Sequence, residues 1–167
     1  MEFEKFQNLD IVLVCGLPGS GKSHFAGTHF SQTGRKRVNR KEIRRLLFEM
    51  ANFGKKWSEK EFASNDEFLV KHVERKIIEH LIQTKQKLLV DNTNISRESR
   101  KQYLTMAHQA GRSIGVIFID TPVLRCLERN RSREDSVPER VISNLEAEKE
   151  LPELSEGYRE VATVTTY

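Results

Sequence analysis

Cysteine is scarce in this 167-residue chain: Cys15 and Cys126 stand far apart, each in apolar or helical surroundings. Two such residues make no disulfide framework, so a reducing intracellular compartment is expected. Cys15 closes an apolar run, which suits a packed core thiol better than a nucleophile. Long hydrophobic stretches are also absent, and none approaches the length of a membrane span. The opening Met1-Glu2-Phe3-Glu4-Lys5 lacks the basic flank and apolar centre of a signal peptide. These absences predict a soluble, cytoplasmic protein with no membrane partner. Repeats and low-complexity segments are lacking too. Lys and Arg number 28 against 24 Asp and Glu, a net charge of +4, and that mild basic excess suits polyanionic ligands without singling one out. With 37% hydrophobic and 31% charged residues the composition is that of a folded chain. Its length suits a single domain over residues 1–167 with a sheet-plus-helices core.

What the chain does contain is a phosphate-binding loop. Gly16-Leu17-Pro18-Gly19-Ser20-Gly21-Lys22-Ser23 is a full G-x-x-x-x-G-K-S, preceded by the apolar, β-branched run Ile11–Cys15 and followed by a helical pattern from His24. Strand, glycine loop and helix in that order turn backbone N–H groups and a helix N-terminus toward an anion. Residues Gly16 through His24 are therefore the candidate nucleotide-binding segment. Lys22 can reach the β/γ-phosphates of ATP and the Ser23 hydroxyl can ligate Mg²⁺.

Further strands are expected at Leu88–Val90, Ile114–Asp120, Val161–Thr165 and a short Arg37–Asn39. Helical patterns separate them over Ser23–Ser31, Glu42–Met50, Glu61–Thr84, Arg97–Ala110, Pro122–Arg129 and Pro138–Leu151. Alternation of this kind predicts an α/β fold, a central parallel sheet covered by helices on both faces. In Glu61–Thr84 the residues Phe62, Leu69, Val73, Ile77, Ile78 and Leu81 form the expected core stripe. Thr121-Pro122 reads as a helix start with proline first, and Gly111 as a helix stop. The connection Asn52–Ser58 carries Trp57, which can stack on a base or anchor the loop.

Three clusters join the loop as candidate chemistry. Asp91, after the strand Leu88–Val90, lies where ligands gather in such sheets and can hold Mg²⁺ beside Ser23; the alternative is that Asp91-Asn92-Thr93-Asn94 caps the helix beginning near Ser96. Asn94 suits either role. Arg129, Arg131 and Arg133 supply planar forks for phosphoryl oxygens, and on a helix Arg129 and Arg133 share a face while Arg131 points elsewhere. Arg40, Lys41, Arg44 and Arg45 gather at a helix start, where their charge opposes the dipole and calls for an anionic partner.

Taken in order, these residues resemble the 5′-polynucleotide kinases of phage and animal type, and more broadly the small P-loop kinases. Val38-Asn39-Arg40 is similar to that family's acceptor motif, and Asp91-Asn92-Thr93-Asn94 to its Asp-x-Thr-Asn. Arg129-Asn130-x-x-Arg133 with Val137-Pro138 resembles its arginine lid, placed here at about 129–137, and Leu154–Tyr158 the ending of the animal enzymes. The resemblance implies transfer of the γ-phosphate of ATP, with Mg²⁺, to the 5′-hydroxyl end of DNA or RNA. By it Lys22, Arg129 and Arg133 would be catalytic, Ser23 and Asp91 would hold the metal, and Arg40, Arg44, Asn94 and Val137 would meet the acceptor. One position departs: Lys41 stands where the family has an aspartate that takes the hydroxyl proton. A protonated lysine has no lone pair for it, so Lys41 would orient the acceptor instead and transfer would be slower. Kinases of small hydroxylated metabolites, and a domain that binds nucleotide without transfer, remain open on sequence.

Overall fold

Ile11–Cys15 forms strand β1, buried on both faces, with Ile11, Leu13 and Cys15 in one hydrophobic layer and Val12 and Val14 in the other. A strand apolar at every position has to be interior, because alternation would leave half of it in water. The computed structural model describes residues 3–58, 60–61 and 66–166. The other strands are β2 (Lys36–Val38), β3 (Leu88–Asp91), β4 (Ile114–Asp120) and β5 (Glu160–Thr165). All pair in parallel in the order β2-β3-β1-β4-β5. The chain winds to one side of β1 through β2 and β3, then crosses to the other for β4 and β5. The loop after β1 thus lies at the topological switch, where such sheets open a crevice.

Helices α1 (Glu4–Gln7) and α2 (Lys22–Phe30) cover one face through Phe6, Ala26 and Phe30. Helices α3 (Arg40–Ala51), α4 (Glu67–Gln83), α5 (Arg97–Gln109), α6 (Val123–Arg131) and α7 (Glu139–Ala147) supply the other, through Ile43, Ile78, Tyr103, Cys126 and Ile142 among others. This is a P-loop kinase-like α/β fold. Among the described residues no helix is long and apolar enough to cross a membrane.

The structure moves several expected boundaries. Pro122 caps α6 from outside, at ψ 136°, rather than opening it. The last long helix stops at Ala147 instead of Leu151, because the Glu150 N–H bonds to the Ile95 carbonyl and Pro152 follows. Of the expected helix Glu61–Thr84, Phe62 lies outside the described residues and α4 begins at Glu67. The buried stripe of α4 is Val70, Glu74, Ile78, Leu81 and Ile82, while Leu69 and Ile77 are exposed. A charged residue in the centre of that stripe hid its true phase from the sequence pattern.

Among the described residues the buried charged residues Glu74, Asp91 and Arg100 are each paired with an opposite charge. Arg100 on α5 is fully buried and donates from Nε and Nη2 to Glu156 at 3.0 and 2.8 Å. Its Nη1 donates to the carbonyls of Asn94 and Glu150 at 3.1 and 2.9 Å. These bonds tie the segment after β3 to the segment before β5. Arg100→Met strips the buried Glu156 carboxylate of its closest cation, leaving only Arg97 at 3.9 Å and the Glu153 N–H, and is expected to cost about 3 kcal/mol of stability, read from urea denaturation.

Candidate active site

The loop after β1 has backbone only glycine holds comfortably. Gly19 has φ 82°, and a Cβ there would lie 2.5 Å from the Cys126 carbonyl oxygen; Gly16 has φ 144°, and its Cβ would lie 2.6 Å from the Ile119 carbonyl. The loop is therefore pressed against the end of β4 and the first turns of α6, where a side chain would not fit. Gly21 precedes α2, whose first residues are Lys22 and Ser23. Lys22 Nζ donates to the Leu17 carbonyl at 2.7 Å, and desolvation brings its ammonium down to about 8.

Asp91 ends β3, paired with Val14 of β1, and is wholly buried. Its Oδ2 accepts from Ser23 Oγ at 2.8 Å and from Arg37 Nε and Nη2 at 2.9 and 2.8 Å. Its Oδ1 is buried without a hydrogen-bond partner. A serine hydroxyl beside a carboxylate with a spare oxygen fits a hard divalent cation such as Mg²⁺. Among the described residues no group of three or more His, Cys, Asp and Glu converges. Such a cation would draw its remaining ligands from phosphates and water. The capping alternative for Asp91–Asn94 does not hold, since Ser96 caps α5 with Ser99 in a reciprocal box.

Two cavities meet at this point. One, of about 370 Å³, is lined by Gly19, Gly21, Lys22, Ser23, His24, Arg129, Ser132 and Arg133. The other, of about 250 Å³, shares Lys22, Ser23 and Arg133 and continues to Asn39, Arg40, Lys41, Arg44, Asp91 and the apolar Val137, Val141 and Leu145. Arg129 and Arg133 both reach the phosphate loop's side, but not by helical spacing: α6 ends at Arg131, and Arg133 lies in the turn beyond. Arg129 Nη1 is 3.4 Å from the carbonyls of Gly19 and Ser20. Arg131 pairs with Glu139 on the surface, away from both cavities. Asn130 holds the base of this segment, bonding the Val137 carbonyl and N–H at 2.8 and 2.9 Å.

Arg40, Lys41 and Arg44 of the α3 basic cluster are brought to the second cavity, each with a partner, whereas Arg45 is exposed and does not line it. Arg40 donates to Glu74 of α4 at 2.7 Å, and the Tyr103 hydroxyl donates to the same carboxylate at 2.8 Å. Asn92 completes this layer, donating to Glu74 and accepting from the Arg40 N–H at 2.7 Å. Lys41 Nζ lies 3.1 Å from Asp135, which also accepts from Arg133 Nε at 3.2 Å. Burial, with Arg133 close by, pulls the Lys41 ammonium below its usual range, and Asp135 offsets part of that. Arg44 pairs with Glu67 at the start of α4.

Asn94 belongs elsewhere. It is buried at φ 37°, its carbonyl accepts from Arg100, and it lines neither cavity, which corrects the expectation of an acceptor contact. Trp57 is 9% exposed in an otherwise exposed connection, so it anchors the loop. Cys15 is buried, and desolvation pushes its thiol up to about 12, which leaves no thiolate for chemistry. Sequence reasoning missed Arg37, Glu74 and Asp135. Each acts through a partner more than 30 positions away, and no spacing rule reveals such a pair.

A family model described as an AAA domain, AAA_33, matches residues 11–152, which run from the first residue of β1 past the end of α7. The chain belongs to the AAA_33 family. Like other members it is a P-loop kinase domain by fold, and it is similar to two curated proteins. It is 24% identical over 139 residues to the L-seryl-tRNA(Sec) kinase of Methanococcus maripaludis, covering 81% of this chain and 50% of that protein. It is 26% identical over 160 residues to human heterogeneous nuclear ribonucleoprotein U-like protein 2, covering 93% of this chain and 21% of that protein. The AAA_33 chain thus spans half the length of the first and about a fifth of the second. Among solved structures, Chaetomium thermophilum Kti12 in complex with ADP-AlF3 superposes with a TM-score of 0.62 at 18% identity, over 93% of this chain and 88% of that one.

The state of Lys22 gives a direct check. A phosphate beside it restores the charged form, so a nucleotide binding above pH 8 takes up a proton that binding at pH 7 does not require. Titration calorimetry of ADP at pH 8.5 in buffers of different ionisation enthalpy is expected to show uptake of most of one proton. Lys22→Met abolishes that uptake.

Proposed function

We propose that the protein is an ATP-dependent kinase that phosphorylates the 5′-hydroxyl end of a polynucleotide. The observation that carries this reading is the pair of cavities meeting at Lys22, Ser23 and Arg133. The first, cradled by the phosphate loop, suits the triphosphate of the donor. The second is cationic on the α3 side and apolar on the α7 side, as a nucleoside with an attached phosphate requires: the base against Val137, Val141 and Leu145, the phosphate on Arg44. The likeness to a kinase of L-seryl-tRNA and to a heterogeneous nuclear ribonucleoprotein supports an acceptor of nucleic-acid type.

In this reading Ser23 and Asp91 hold Mg²⁺, which when bound neutralises charge on the phosphates. Lys22 binds the β/γ-phosphates. Arg133, which lines both cavities, meets the transferring phosphoryl between donor and acceptor, and Arg129 approaches it from the phosphate-loop side. Positioning and charge neutralisation supply most of such catalysis. Among the described residues Asp91 is the one carboxylate lining the second cavity; its Oδ2 is engaged by Ser23 and Arg37, and its Oδ1 is the oxygen this reading gives to the metal. Among the described residues no further carboxylate lines that cavity to take the hydroxyl proton, so in this reading transfer proceeds through a loose transition state at a modest rate.

The test is labelled ATP with 5′-hydroxyl DNA, 5′-hydroxyl RNA, nucleoside 3′-phosphates and bare nucleosides side by side. Label in the oligonucleotides, with bare nucleosides much poorer, is the expected result. Bare nucleosides or other small hydroxylated compounds used equally well would overturn it in favour of a small-metabolite kinase. Arg133→Ala is expected to lower kcat by about 10³-fold. Arg44→Ala raises KM for the polynucleotide about tenfold or more and leaves KM for ATP unchanged.

A further inference from the structure

Arg37 has no place in the transfer just described, yet it makes the closest charged contact to Asp91. Its side chain rises from the exposed edge strand β2 and lays Nε and Nη2 on one oxygen of the buried carboxylate, Oδ2, at 2.9 and 2.8 Å. The remaining nitrogen, Nη1, is held by both oxygens of Glu42 at 2.9 and 3.0 Å. Glu42 is itself fixed in the first turn of α3, where its N–H donates to Asn39 Oδ1 at 2.9 Å. Asn39 Nδ2 donates to the Asp91 carbonyl at 2.8 Å. Asp91, Arg37, Glu42 and Asn39 thus form a closed ring around the end of β3. The ring fixes which carboxylate oxygen is spent and which, Oδ1, is left unpartnered.

We propose that Arg37 is a positioning residue of the cation site: it orients the Asp91 carboxylate and opposes a bare divalent cation, so that metal enters only together with nucleotide phosphates. This rests on the reading that Ser23 and Asp91 hold the metal. A carboxylate already neutralised by a guanidinium offers a lone dication little net attraction. A di- or triphosphate brings several negative charges and reverses that balance. Glu42 draws part of the Arg37 charge away from Asp91, and so sets how strong the opposition is. An ion pair that merely fastened β2 to β3 would give no such asymmetry.

Mn²⁺ is the probe, its binding followed by electron paramagnetic resonance with and without ADP, in the wild type, Arg37→Met and Glu42→Gln. Wild type is expected to hold Mn²⁺ weakly alone and tightly with ADP. Arg37→Met binds Mn²⁺ alone about tenfold or more tighter, because one opposing unit charge has gone from the site. Glu42→Gln shifts affinity the other way, since it removes only an exposed counter-charge. Both variants moving in one direction would overturn the proposal, as would Arg37→Met that binds Mn²⁺ no better than wild type. Should Arg37→Met fail to fold, Glu42→Gln decides through the required weakening. Calorimetry of ADP alone separates the two levels: wild type that binds no ADP sinks the kinase reading, whereas the nucleotide-free Mn²⁺ arm still reads the opposition by Arg37.

Discussion

The pairing of Val14 with Asp91 across β1 and β3 is the constraint from which the rest of the site follows. It buries a carboxylate at the carboxyl end of the sheet, one residue before the strand β1 ends and the phosphate loop begins. A buried carboxylate is costly unless its oxygens are engaged. Ser23 comes to it from the start of α2 and Arg37 from the edge strand, while Asn39 holds its backbone from the start of α3. Three elements that are distant in sequence are thereby aimed at one point.

Around that point the cations divide into two kinds. Lys22 and Arg129 line the first cavity and meet backbone carbonyls, and Arg133 shares Asp135 with Lys41. Arg40, Lys41 and Arg44 each have a carboxylate: Glu74, Asp135 and Glu67. Glu74 is the anchor of this second group. Buried in the core stripe of α4, it accepts from Arg40, Tyr103 and Asn92 and locks the wall between the sheet and α3. Fully satisfied networks of this sort rigidify what they join. Asp135 serves the opposite purpose, linking an α3 lysine to an arginine that lines both cavities. The two cavities are therefore electrostatically coupled through one partly exposed carboxylate.

The proteins this chain is similar to differ in what they are named for, which fits the proposed reading of one common phosphate loop beside an acceptor side built from side chains on α3 and beyond α6. Backbone N–H groups of a glycine loop bind phosphate regardless of the rest of the ligand. The second cavity, which the proposed function reads as the acceptor side, is lined in contrast by side chains, and Lys41 among them stands where the polynucleotide kinases that the sequence resembles have an aspartate.

The sequence by itself determined the phosphate loop, the strands β1 and β4, and the alternation that makes a parallel sheet. Those features are local: a glycine pattern, a continuous apolar run, a period of 3.6 or none. It also picked out Asp91, Arg129 and Arg133, because residue type and position beside a strand end or loop carry their own chemistry. Only the tertiary structure decided that Asn94 is buried away from both cavities, its carbonyl accepting from Arg100, and that α4 turns Glu74 inward. It alone brought Arg133 to the site from beyond its helix, and put Arg37 on Asp91 and Lys41 on Asp135. Most of these are charges paired across the fold: Glu74 with Arg40, Arg37 with Asp91 and Lys41 with Asp135. A one-dimensional pattern records hydrophobic period well, but the partner of a buried polar group is chosen by proximity that exists only after the sheet has formed.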